Sequence, residues 1–173
     1  MTNINKSGLY SIGYGNRTPV QLFDLVKSFN CSYLVDVRSV PYSRYHKEFN
    51  RDALEQSCSD FGLKYLYLGE QIGGKPDSDS MRDELGLANY EAMAQTPHFL
   101  EGIARLQKAN EQGLSLALMC AELKPEVCHR TNLIGNALAK IGIDLTHIDE
   151  KAQLVSHAEV LDRASGGQVD MFT

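Results

Sequence analysis

Five short apolar runs recur along this chain, and a stretch of helical character separates each from the next. The runs are "LYSIGY" (9–14), "SYLVDVR" (32–38), "LKYLYLG" (63–69), "LSLALMC" (114–120) and "IDLTHI" (143–148), each the length of a buried strand and too short for a helix. After the first, Thr18 can cap a helix, Pro19 suits its first position and Gln21 completes a capping box, predicting a helix to about Phe29. "NRDALEQSCSDFG" reads as a helix ended by Gly62, and "YEAMAQTPHFLEGIARLQKANEQG" as two helices parted at Pro97. From Pro125 on, Ile134, Ala137, Leu138 and Ile141 share one helical face until Gly142, and a last helix is expected over about 150–164. Such alternation predicts an α/β fold: a single three-layer domain with a largely parallel sheet of about five strands and helices on both faces.

At 173 residues the chain is long enough for one well-cored domain and short for two. The expected division is an α/β domain over 1–164 and a tail over 165–173. No apolar run nears the roughly 18 to 20 residues of a membrane span, and "MTNINKSGLYSIGYG" lacks a signal peptide's charged and apolar regions. A cytoplasmic protein with no membrane partner is expected. Four cysteines, at 31, 58, 120 and 128, are too few and too scattered to staple such a domain, which predicts reduced thiols. The net charge of -5 gives no global attraction for nucleic acid, so a local patch would have to supply it.

In parallel sheets, ligands bind beyond the carboxyl ends of the strands. Here those ends read "GYGNR", "DVRSVPYSR", "GEQIGG" and "MCAELKPEVCHR". Cys120 would close the fourth strand, with Cys128, His129 and Arg130 in the first turn of the next helix. Helix starts carry free N–H groups and positive potential, which favour anions and thiolates. Cys128 or Cys120 is thus the candidate nucleophile, His129 the acid or base, Glu122 its orienting group, and Arg130 a two-point holder of phosphate or carboxylate. The competing reading is that both cysteines are small, inert core residues. Cys31 and Cys58, without polar company, are read as structural. Cys120, Cys128 and His129 would supply three ligands to a metal, but adjacent Cys128 and His129 on one helix point in different directions. No metal and no cofactor is therefore assigned.

Asp36 and Arg38 end the second strand on one side of it, either as an ion pair shaping the loop or as substrate contacts. Arg38, Arg44, Lys47 and Arg51 against Glu48, interleaved with Tyr42, Tyr45 and Phe49, form the mixture that phosphate contact and base stacking need. A solvated loop with aromatic anchors in the core has the same pattern. Gly13, Gly15, Gly73 and Gly74 allow either tight turns or close approach to a ligand, and Tyr14 between two glycines is a candidate substrate contact.

"SIGYGNRT", "LVDVRSVPYSR", "YLYLGEQIGGK", "YEAM", "LMCAELKPEVCHR" and "THI" together resemble the pattern of the domain of unknown function 488 family over nearly the whole chain. One departure is "EQIGG", where that family usually has Leu before Gly-Gly. The resemblance implies an α/β fold and an active site, with the reaction unassigned. "DVR" followed by a strand-end cysteine is also similar to rhodanese-type sulfurtransferases, although their cysteine begins a tight loop closing on a nearby arginine, a shorter span than Cys120 to Arg130.

The chain ends in "SGGQVDMFT". Beyond its glycine hinge, Gln168, Asp170, Met171 and Phe172 resemble the short peptide by which bacterial replication and repair proteins dock on the sliding clamp. These features together predict a thiol-dependent enzyme acting on a phosphate-bearing substrate, nucleic acid or a nucleotide, in a repair-related setting, with Arg38, Arg44 and Arg130 as anion clamp. The alternatives are a rhodanese-like sulfurtransferase or redox protein, and a non-catalytic binding module recruited through its tail.

Overall fold

A computed structural model of the chain describes residues 7–166. The strands are β1 (Leu9–Gly13), β2 (Tyr33–Asp36), β3 (Lys64–Tyr67), β4 (Leu116–Cys120), β5 (Thr146–Ile148) and β6 (Leu154–Ser156). The α-helices are α1 (Pro19–Ser28), α2 (Arg51–Asp60), α3 (Gly69–Ile72), α4 (Tyr90–Met93), α5 (Pro97–Glu111), α6 (Asn136–Lys140) and α7 (His157–Ala164). The strands form one sheet in the order β3-β2-β4-β1-β5-β6, all pairs parallel except β5 with β6.

Local chemistry sets the helix ends. Thr18 and Gln21 form the capping box of α1 reciprocally, with Pro19 at the first turn. Thr96 accepts from the Phe99 N–H and starts α5 at Pro97. Two elements are absent from the sequence reading, the short helix α3 and the strand β6. Leu154 to Ser156 pair antiparallel with β5 before Ser156, capping-boxed with Glu159, opens α7. The last helix is therefore shorter than the 150–164 expected.

Strand alternation divides the core into two layers. Leu9, Val35, Leu116, Leu118 and Cys120 face α5 and the segment that leads into α6. Ile12, Leu34, Ala117, Met119 and Ile148 face α1 and α2 through Leu22, Phe23, Val26, Leu54 and Cys58. Every residue of β4 is buried, as a central strand covered on both sides requires. Each of its large apolar side chains contributes about 1.5–3 kcal/mol by leaving water. That stabilisation anchors the strand whose last residue is Cys120.

The chain between β4 and α6 departs from a simple helix. A 3-10 turn spans Pro125–Val127, and a π-helical segment, Arg130–Gly135, leads into α6. π-Helical turns are rare and frequent at functional sites. Cys128, between the two, keeps an extended backbone (φ -113, ψ 148). Its carbonyl accepts from the N–H groups of Thr131 and Asn132 at 3.1 Å.

Candidate active site

At the carboxyl end of β4, the chain turns through Ala121 to Lys124 and returns at Cys128. Two features hold this loop. Arg130, fully buried, donates from one terminal nitrogen to the carbonyls of Glu122 (2.8 Å) and Leu123 (3.1 Å). Gly13 lets β1 approach so closely that a Cβ there would lie 1.8 Å from the Glu122 carbonyl. The loop thus sits against β1, and the side chains of Cys120, Glu122, Cys128 and His129 meet.

Their distances define a cluster. Cys120 Sγ donates to Glu122 Oε2 at 2.9 Å, and Cys128 Sγ lies 3.4 Å from the same oxygen. The two sulfurs are 3.7 and 3.8 Å from His129 Nδ1. His129 Nε2 is 3.0 Å from the Val37 carbonyl at the end of β2. A carbonyl only accepts, so Nε2 carries the ring proton and Nδ1 presents a lone pair to both sulfurs. The group that orients His129 is therefore a backbone carbonyl. Glu122, assigned that role from the sequence, contacts the sulfurs instead.

The thiols differ in acidity. Burial alone would raise Cys128, but hydrogen bonds with Cys120 and His129 and the charge of Arg130 hold it well below the usual thiol value. Cys120 is raised by its hydrogen bond to Cys128, by burial, and by the charges of Cys128 and Glu122. The two thiols titrate together, with Cys128 the more acidic of the pair. Burial pushes Cys31 and Cys58 up to about 12, which makes them inert.

Cys120, Glu122 and His129 line an open cleft of about 520 Å³ together with Tyr14, Arg38, Tyr42, Lys75 and Arg82. That volume lies within the general range of small-molecule sites. Asp36 and Arg38 form a buried bidentate pair (2.9 and 2.7 Å), and Arg38 also donates to the Phe49 carbonyl at 2.7 Å. The second terminal nitrogen of Arg38 has no hydrogen-bond partner among the described residues. Tyr14 stacks on Phe49 at 4.2 Å, beneath the Arg38 guanidinium.

Several sequence-predicted groups sit differently from expectation. Cys128 precedes the helix instead of lying in its first turn, so its side chain and that of His129 converge, removing the geometric objection to a shared metal. The donor atoms of Cys120, Cys128 and His129 all lie within 4.8 Å of one another and could hold a metal ion. Arg130 is enclosed under the loop, where it positions Glu122 and does not line the cleft. Arg44 is exposed on the loop after β2, also outside the cleft lining. Of the aromatics there, Phe49 enters the core while Tyr42 and Tyr45 remain exposed. Gly73 and Gly74 make room for protein: a Cβ at Gly74 would lie 2.6 Å from His129 Cγ, and one at Gly73 2.3 Å from Ser39 Oγ. Gln168, Asp170, Met171 and Phe172 lie outside the described residues.

Lys75 and Arg82 are the cleft cations that sequence reading missed. The signal for Lys75 was its place directly after the two glycines. Arg82 had none, because its position depends on how the long loop from Gly73 to Asn89 folds.

Fold and site together define an α/β domain with a thiol–imidazole–carboxylate centre at the carboxyl edge of its parallel strands. The chain belongs to the family described as Domain of unknown function DUF488, whose model matches residues 18–136. The matched span covers most of the chain and holds Cys120, Glu122, Cys128 and His129. No curated protein and no solved structure gives a significant match. Among the described residues, no helix is long and apolar enough to cross a membrane.

Proposed function

We propose that this protein is a cysteine-dependent enzyme acting on a phosphate-bearing substrate, nucleic acid or a nucleotide, with Cys120, Cys128, His129 and Glu122 as its reactive centre. The observation that carries this reading is the convergence of two sulfurs on one carboxylate oxygen and on one imidazole nitrogen, at the wall of a cleft that also holds cations. A buried structural cysteine has no need of an acid–base neighbour, whereas a reactive one does. Arg38, Lys75 and Arg82 supply positive charge for a phosphate, and exposed Tyr42 and Tyr45 offer faces on which bases can stack. Cys128 is the group that ionises, and Cys120 is the sulfur that borders the cleft.

The tail peptide from Gln168 to Phe172 supports recruitment to a bacterial sliding clamp and hence a setting in DNA repair. Deleting residues 165–173 should abolish co-purification with the clamp and leave the isolated enzyme's reaction intact. The reaction itself is tested with Cys120→Ser and Cys128→Ser against single-stranded, damaged and nucleotide substrates. Loss of turnover by about a hundredfold or more in both is expected, and unchanged turnover in both removes the thiols from the chemistry. A second reading, sulfur transfer or thiol–disulfide exchange, draws on the nearness of both sulfurs to one carboxylate oxygen. It predicts a persulfide or a Cys120–Cys128 disulfide after mild oxidation, visible by mass spectrometry.

A further inference from the structure

The donors of the cluster are short of protons. His129 spends its one N–H on Val37 and turns a lone pair inward. The carboxylate of Glu122 offers lone pairs only, and the two thiols bring at most one proton each. Three buried groups, Cys120, Cys128 and His129, thus turn lone pairs toward one point, and Glu122 lies against the two sulfurs on the exposed cleft side. A dication satisfies all of them at once.

The geometry points to a zinc site formed by Cys120, Cys128 and His129, with the fourth position on the cleft side beside Glu122. Zinc binds sulfur at about 2.3 Å and nitrogen or oxygen at about 2.0–2.2 Å, so the edges of a tetrahedron around it measure about 3.6 Å. The two sulfur–nitrogen edges here are 3.7 and 3.8 Å, and the two sulfur–oxygen edges are 2.9 and 3.4 Å. Small side-chain movements therefore suffice to admit the ion. The backbone is already set for it: the extended conformation at Cys128, ahead of the helical His129, aims two consecutive side chains at one point. The Nε2–H to Val37 carbonyl bond is the outer contact that commonly fixes a metal-binding imidazole. Two sulfurs with nitrogen and oxygen in a tetrahedral arrangement select zinc over harder cations. Three enclosed ligands leave a fourth position on the cleft side that a substrate oxygen or water can take.

This inference rests on the same four side chains as the proposed function, but not on its substrate. The test uses the full-length protein, stripped with chelator under reducing conditions, reloaded with Zn²⁺ or Co²⁺ and desalted, with folding followed by circular dichroism. The expected result is one metal per chain by elemental analysis, the visible and near-ultraviolet bands of tetrahedral thiolate-bound cobalt, and protection of Cys120 and Cys128 from alkylation. Cys120→Ser and Cys128→Ser should each weaken the thiolate-to-cobalt band, and Glu122→Gln should retain the metal with the band intact. A folded wild-type protein that retains no metal, with both thiols free to react, overturns the site and leaves the thiol-enzyme reading standing. Metal that stays with unaltered spectra in the Cys120→Ser/Cys128→Ser double variant also overturns it, by placing the ion elsewhere. Loss of turnover without loss of metal in Lys75→Ala separates the cleft's substrate role from the site.

Discussion

His129 hands its only ring proton to the carbonyl of Val37, 3.0 Å away and 92 positions earlier in the sequence. That bond joins the end of β2 to the start of the segment after β4. It decides which nitrogen faces the sulfurs, and so turns a lone pair of the ring toward both of them.

The contact depends on Gly74. A methyl group there would lie 2.6 Å from His129 Cγ, and the imidazole would have to move. Gly74→Ala should reduce cluster reactivity at least tenfold while costing about 1–3 kcal/mol of stability. Alkylation kinetics of Cys128 alongside urea denaturation would check this, and unchanged kinetics would show that the ring position does not matter.

Thiol reactivity should be confined to the cluster. In metal-stripped protein near neutral pH, iodoacetamide should label Cys128 first, while Cys31 and Cys58, held up to about 12, stay unlabelled until the protein unfolds. Peptide mass spectrometry over a time course reads the order. Equal labelling of Cys31 and Cys128 would contradict it.

Asp36 and Arg38 hold the loop after β2 in place. Both are buried, and Asp36 also accepts from Tyr65 Oη at 2.8 Å. Asp36→Asn leaves the guanidinium buried beside a neutral amide and should destabilise the fold by about 3–5 kcal/mol. A denaturant midpoint equal to wild type would mean that the pair is not needed for folding.

Acid should unfold the protein through two histidines remote from the cleft. Ser11 Oγ bonds His147 Nδ1 (2.6 Å), His147 Nε2 bonds His157 Nδ1 (3.0 Å), and His157 Nε2 bonds Asn136 Oδ1 (3.0 Å). Since Asn136 Oδ1 only accepts, His157 must donate from Nε2 and accept at Nδ1, which sets the proton order along the chain. His147 is held well below the usual imidazole value by burial and by the charges of Arg130 and His157, and His157 is lowered by burial. Below about pH 6.5 the unfolded chain therefore binds more protons than the folded one. Stability should be full above that pH and fall as the solution is acidified below it. The melting temperature should drop between pH 7 and 5.5 in wild type and less steeply in His157→Asn. A melting temperature that stays flat or rises on acidification would contradict the neutral pair.

Nucleic-acid binding should be electrostatic and local. Lys75→Ala and Arg82→Ala should each weaken binding of a single-stranded oligonucleotide and lower the slope of log affinity against log salt by about one. Fluorescence anisotropy across a salt series measures both. Slopes identical to wild type would move the ligand away from this cleft.

Much of this architecture was legible before any coordinates, because periodicity and capping are local properties. Thr18, Gln21 and Pro19 announced α1, and the apolar runs announced five parallel strands. β6 was hidden because three residues leave no periodic signature, although the Ser156 and Glu159 capping box marked where the helix truly begins. The cluster was legible in its membership and not in its wiring. That Arg130 turns inward to the Glu122 carbonyl, that Cys128 is extended, and that Arg82 reaches the cleft are all consequences of tertiary packing. A string of residue types carries no signal for them.

The most direct test of the account is the alkylation rate of the Cys120–Cys128 pair in metal-stripped protein, with and without a phosphorylated single-stranded oligonucleotide, at low and high salt. A reactive thiol centre on the wall of an anion-binding cleft predicts that the oligonucleotide slows labelling several-fold at low salt and that the protection fades as salt rises. A labelling rate that the oligonucleotide leaves unchanged at every salt concentration would contradict it.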